Sequence, residues 1–212
     1  ESDVLIEAND ISVAAAAAQA GRPFVGGALL NVYNEGTLAT LASMGAVRVC
    51  LPAELSGTAV AALAANAPVE IEVQAFGRLP LAISARCYAA RARSLTKDSC
   101  QYVCADDPDG MAVETLDEVA FLAVNGTQTM SFHTMDLLAS LATLADQGVG
   151  RFRLWPQTCD MVAVSALFRS ALAGTIAMDE AEDRLAALCP GAEFANGYIH
   201  GRPGHLFIEA VD

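Results

Sequence analysis

The chain has 212 residues, 54% of them hydrophobic and 17% charged, which suits a soluble globular protein able to bury a large core. Its longest apolar runs, such as 13–18, are alanine-rich and stop well short of the roughly 20 apolar positions that a membrane span needs, so no transmembrane helix is expected. Acidic residues number 25 against 12 basic ones, and the resulting net charge of −13 repels polyanions, so nucleic acid is not an expected partner.

Taken in order, the first half alternates short β-rich runs with alanine-rich stretches of helical period, the pattern of βα units around a parallel sheet. Val4 to Glu7 reads as a strand that leads through Asn9, Asp10 and Ser12 into a helix over 13–20, with Gly21 and Pro23 as stops. Phe24 and Val25 begin a second strand, which Leu29 to Val32 could extend. Asn34 then caps a helix over 37–44 that Gly45 closes. A third strand over 47–51 and a helix over 59–65 follow. The strand over 69–73 places Glu70 and Glu72 on one face.

The βα rhythm calls for a fourth helix after that strand, and it does not arrive on schedule. The chain passes Gly77 and Pro80, a short run at 81–84, an irregular cysteine-bearing stretch, and strand-like runs at 111–113 and 119–124. This has the look of an insertion. The rhythm resumes with a helix over 135–147, a strand over 152–155, and helices over 161–173 and 179–188. The expected fold is therefore α/β, a partial or complete (β/α) TIM-like barrel with a cysteine-bearing insertion, in one domain over 1–212. About five βα units are visible where a closed barrel has eight. The chain also begins at Glu1 rather than methionine, so an N-terminal portion is expected to precede it, these residues being about two-thirds of the whole. A smaller open α/β sheet is the alternative.

Six irregularly spaced cysteines in a chain of this size do not make the dense framework of a small secreted domain. They favour a reducing cytosol, where clustered cysteines point to metal or redox chemistry. Cys87, Cys100 and Cys104 stand at C-x12-C and C-x3-C spacings. A backbone turn can aim the short pair at one metal centre while the third thiol approaches across a loop. Arg86, Arg91, Arg93 and Lys97 surround them and supply a positive field that favours thiolates. The spacing alone leaves open a chance grouping of unrelated thiols.

The segment LPLAISARCYAARARSLTKDSC with the following C-x3-C pair, then NGTQTMS with Asn125, Gly126, Gln128 and Ser131, then RFRLWPQ, resembles the collagenase-like peptidase family. IEANDIS, LNVYN, LPAELS and NGYIHGRPGH agree with it, so the likeness spans essentially the whole chain. Within the family the cysteine distribution is similar to that of a branch serving oxygen-independent ubiquinone biosynthesis. The resemblance implies a barrel-like fold with a 4Fe-4S cluster on four cysteines, three of them matching Cys87, Cys100 and Cys104 and the fourth lying upstream of residue 1. It implies a cytoplasmic heterodimer with a homologous UbiU-like chain, a ubiquinone precursor as substrate and prephenate as a hydroxyl source. The protein is then a subunit of a hydroxylase, the cluster transferring electrons or supporting the fold.

Peptidase activity is not expected, because neither HExxH nor GxSxG occurs. A zinc-stabilised scaffold module and an RNA hydroxylation factor remain as other readings. Cys50, Cys159 and Cys189 are expected to be buried structural thiols. His133, His200 and His205 are scattered and read as loop or surface residues. Glu7, Asn9 and Asp10 at the first strand end, with Glu54, Gln74, Asn125 and Gln128, could furnish a polar pocket, although helix capping accounts for the first group equally well.

Overall fold

In the computed structural model, which describes residues 4–209, the elements run β1 (Ile6–Ala8), α1 (Ile11–Gln19), β2 (Phe24–Gly26), α2 (Glu35–Ser43), β3 (Ala46–Cys50), α3 (Gly57–Ala64), β4 (Glu70–Ile83), α4 (Tyr88–Ala92), β5 (Met111–Glu114), β6 (Ala120–Asn125), β7 (Gln128–Asp136), α5 (Leu141–Asp146), β8 (Val149–Leu154), α6 (Met161–Leu172), α7 (Met178–Leu188) and β9 (Phe194–Ala195). The fold is α/β. No helix among the described residues is long and apolar enough to cross a membrane. The chain forms two compact units, one holding the chain up to Ala75 with Ser140–Arg153 and Gly197–Gly204, the other holding Phe76–Ala139, Leu154–Asn196 and the chain from His205.

In the first unit β1, β2, β3 and the opening of β4 are parallel neighbours, with Ile6 beside Phe24 and Val49 beside Ile71, and β8 pairs with β4. Parallel strands need crossover helices, and α1, α2 and α3 supply them. Each helix starts on a side-chain cap: Asp10 accepts the Ser12 amide, Asn34 that of Thr37 and Ser56 that of Ala59. Each buries residues three apart, Ala14 with Ala17, Leu38 with Leu41 and Val60 with Leu63. Full burial of such a leucine is favourable by about 1.5–3 kcal/mol. The expected extension of β2 over 29–32 is instead a 3-10 turn at Ala28–Leu30 that ends on Asn31 in the left-handed region.

In the second unit β4 continues past its expected end, for 14 residues in all, and pairs antiparallel with β7. Gly77 and Pro80 do not break it, because the ladder shifts register on both sides of Pro80, where a residue without an N–H is tolerated. Gly77 has φ +103°, and a Cβ there would lie 2.6 Å from the Trp155 carbonyl oxygen. β7 also pairs antiparallel with β6, and β6 with β5, while β9 adds a parallel partner to β7. The expected helix over 135–147 begins only at Leu141, because its first residues belong to β7. Helices α6 and α7 pack together, burying Val164, Leu167, Phe168 and Ala171 on one and Ala181 and Leu185 on the other. Phe168 meets Phe76 edge-on at 5.6 Å.

Candidate functional site

The cysteine-bearing stretch leaves β4 at Ile83 and folds against the β6–β7 hairpin. Cys87 caps α4, its Sγ accepting the Ala90 amide at 3.4 Å, and it is buried with Ala89 and Ala90. Cys100, Val103 and Cys104 pack on that same small cluster with Leu95 and Met111. Between the two later cysteines Gln101 and Tyr102 both have positive φ, 52° and 56°, and the turn lets the Tyr102 amide donate to Cys100 Sγ at 3.4 Å. The C-x3-C spacing thus does turn the backbone between its thiols.

The hairpin tip holds these pieces. Gly126, with φ +60°, opens a two-residue loop between the paired Asn125 and Gln128. Its carbonyl accepts the amide of Tyr88, next to Cys87, at 3.0 Å, and its Cα side faces Cys104 Sγ, 4.0 Å from where a Cβ would stand. Asn125 Nδ2 donates to the carbonyls of Cys104 at 3.2 Å, Asp107 at 2.7 Å and Pro108 at 3.3 Å. Asn125 is therefore a positioning residue of the cysteine loop rather than a member of a polar pocket. Gln128 serves as its ladder partner.

The expected positive field is smaller than the sequence suggests. Arg93 donates to the carboxylates of Asp106 and Asp107 and to the Val103 carbonyl, so its charge is spent on tying the loop. Arg86, Arg91 and Lys97 remain exposed. The donor set fits a thiolate-bound centre in kind, since it offers three neighbouring thiols, two of whose sulfurs already accept backbone N–H bonds. Among the described residues no three His, Cys, Asp or Glu side chains converge closely enough to hold a single metal ion.

The strand-end residues of the first unit form ion pairs. Arg153 spans Glu7, at 3.0 and 2.6 Å, and Glu72, at 2.5 Å, while Arg48 reaches Glu72 at 3.2 Å and Arg151 reaches Glu70 at 2.9 Å. Hydrogen bonding from Arg153 holds the Glu7 carboxyl below its ordinary range against the opposing effect of burial. Asn9 donates to Glu7 at 2.9 Å and accepts the Leu29 amide. A Cβ on Gly27 would stand 2.1 Å from Asn9 Oδ1 and 2.8 Å from Glu7 Oε1, so any larger residue there would displace both side chains from this network. Asp10 is a helix cap, and its bonds to Ser12 lower its carboxyl. Glu54 accepts the hydroxyl of Tyr33 and pushes that phenol up to about 12. Gln74 is buried on β4. The three-to-three balance of Arg48, Arg151 and Arg153 with Glu7, Glu70 and Glu72 was not visible from spacing, since each pair joins residues of different strands well apart in the sequence.

The remaining candidates are dispersed. His133 lies 3.6 Å from Glu193 and 6.2 Å, ring to ring, from His205. His200 sits in a turn with its amide on Gly197 O. Cys50 is fully buried, and burial pushes its thiol up to about 12. Cys189 is buried but Cys159 is not, and in the second unit both line a cavity of about 230 Å3. The family model described as Peptidase family U32 matches residues 3–208. No solved structure matches the chain.

Proposed function

The chain belongs to peptidase family U32, and on that premise we propose that it is an iron-sulfur subunit resembling UbiV, acting with a homologous UbiU-like partner in oxygen-independent hydroxylation of a ubiquinone precursor. The observation that carries this reading is the hairpin tip: Gly126 and Asn125 bind the chain beside Cys87 and at Cys104, which keeps three thiols in one neighbourhood. Cys87, Cys100 and Cys104 would hold a 4Fe-4S cluster, with a fourth ligand from elsewhere. Such a cluster supplies one-electron transfer.

This chain's residues have three tasks in that reading. The amides of Ala90 and Tyr102 donate to the sulfurs of Cys87 and Cys100 and orient them. Asn125 and Arg93 fix the loop that carries Cys104, Arg93 through the Val103 carbonyl and two aspartates. Leu95, Val103 and Met111 keep water from the sulfur side. The α/β fold is that of a (β/α) barrel in this reading, the location is the cytoplasm, and prephenate is a hydroxyl donor of suitable chemistry. The net charge of −13 opposes an RNA substrate.

Anaerobic purification with optical, iron, sulfide and zinc analysis tests the reading. A brown protein with iron and acid-labile sulfide is expected. A colourless, zinc-containing protein would instead establish a zinc-stabilised scaffold at the same thiols.

A further inference from the structure

Cys159 lies just before α6, whose first turn is capped by Asp160, and Cys189 is the C-terminal cap residue of α7. The two helices are joined by a short turn at Gly174, φ +65°, and pack along their apolar faces, so the start of one lies beside the end of the other. Both cysteines consequently stand at the open end of the helical hairpin, on the wall of one cavity that also includes Arg78, Asp109 and Thr134. Their exposures differ: Cys159 is partly open and Cys189 is buried. Unequal exposure of neighbouring thiols is the arrangement of an attacking and a resolving cysteine.

We propose that Cys159 and Cys189 form a reversible dithiol–disulfide site in this cavity, oxidised by a zwitterionic low-molecular-weight disulfide of the glutathione type. Arg78 and Asp109 on the same wall offer one charge of each sign to its carboxylates and ammonium groups. The thiolate of Cys159 attacks one sulfur of the small disulfide, forming a mixed disulfide and expelling one small thiolate. Cys189 then loses its proton, attacks Cys159 Sγ and expels the second small thiolate. Two protein thiols are oxidised, one small disulfide is reduced to two thiols, and the two protons from the protein go to the leaving thiolates. Cys159 is the attacker because it is the more exposed of the two, while burial and hydrogen bonding with Cys159 push Cys189 up to about 12. The product closes the end of the hairpin opposite Gly174 and changes the cavity wall beside Arg78.

The reduced full chain, treated with glutathione disulfide, alkylated and cleaved with trypsin, gives a site-specific readout. Cys159 falls in the peptide Leu154–Arg169 and Cys189 in the one beginning at Leu185, and neither contains Cys87, Cys100 or Cys104. The expected product is these two peptides linked, released by dithiothreitol, with a several-fold lower yield of the link when treatment is done in denaturing urea. Cys189→Ser should trap the glutathione mixed disulfide on Cys159. Unlinked peptides from the wild-type chain, or an equal yield of the link from the unfolded chain, would overturn the proposal whatever the iron content.

Discussion

Asn125 donates its side-chain amide to the carbonyl oxygen of Cys104 at 3.2 Å, and the same nitrogen reaches the carbonyl of Asp107 at 2.7 Å. One amide thus serves the exit of the cysteine loop, alongside Arg93, which holds the Val103 carbonyl, Asp106 and Asp107. Asn125→Ala should cost about 1–2 kcal/mol of stability by urea unfolding, from the lost bonds and the orphaned carbonyls. Asn125→Asp should cost more, because a carboxylate would face those oxygens. Equal stability of all three proteins would show that the tip does not fasten the loop.

Cys100→Ser and Cys104→Ser should each remove most of the bound iron from anaerobically purified protein, since serine is a poor substitute for a thiolate ligand. Cys50→Ala should retain it, because that thiol is fully buried among β-strands of the other unit and held neutral. Parallel loss of iron in all three variants, measured per folded chain, would refute the ligand set.

Asp136 titrates upward. Burial raises its carboxyl from 3.8 to about 6, opposed by the bond it accepts from the Leu138 amide at 2.8 Å. Between those values the folded chain holds a proton that the unfolded chain has released, so this group lowers stability as pH rises through the window. Asp136→Asn keeps the acceptor without the charge. Its stability relative to wild type should climb by up to about 3 kcal/mol from about pH 4 to about pH 7, read from denaturation midpoints. A flat difference would place the Asp136 titration at its ordinary value.

Gly77→Ala combines a positive φ with a contact of 2.6 Å to the Trp155 carbonyl oxygen, a backbone atom that cannot swing aside. The variant should lose about 3 kcal/mol or more, or fail to accumulate. Gly174→Ala has φ +65° but open space around it, and should lose only about 1 kcal/mol. Similar thermal midpoints for the two would contradict the close approach.

Glu54→Gln should bring the Tyr33 phenol down from about 12 toward its ordinary value near 10, because the carboxylate that opposes ionisation is gone. Ultraviolet titration of tyrosinate absorbance, compared with Tyr33→Phe to assign the signal, measures the shift.

The parallel half of the fold was legible because local signals agree there: Asp10, Asn34 and Ser56 are caps in the sequence and caps in the structure. Legibility fails where tertiary contacts override local ones. Gly77 and Pro80 read as breakers, yet lie inside β4, at a close approach of Trp155 and at a shift of register. The start of the apolar run at 135–147 reads as helix, yet Met135 pairs with Gly77 across a ladder. The cysteine spacing was informative, whereas the neutralisation of Arg93 by Asp106 and Asp107 depends on how the loop closes. Cys159 and Cys189 are far apart in sequence, and only the packing of α6 on α7 makes them neighbours.

The thiols and the hairpin tip that fastens them all come from one continuous stretch, from Cys87 to Gly126. Short-range closure costs little chain entropy and is fast. During synthesis these three thiols and their fastening are therefore made before β8, α6 or α7, so a centre proposed to sit there would find its local ligands in place ahead of final folding.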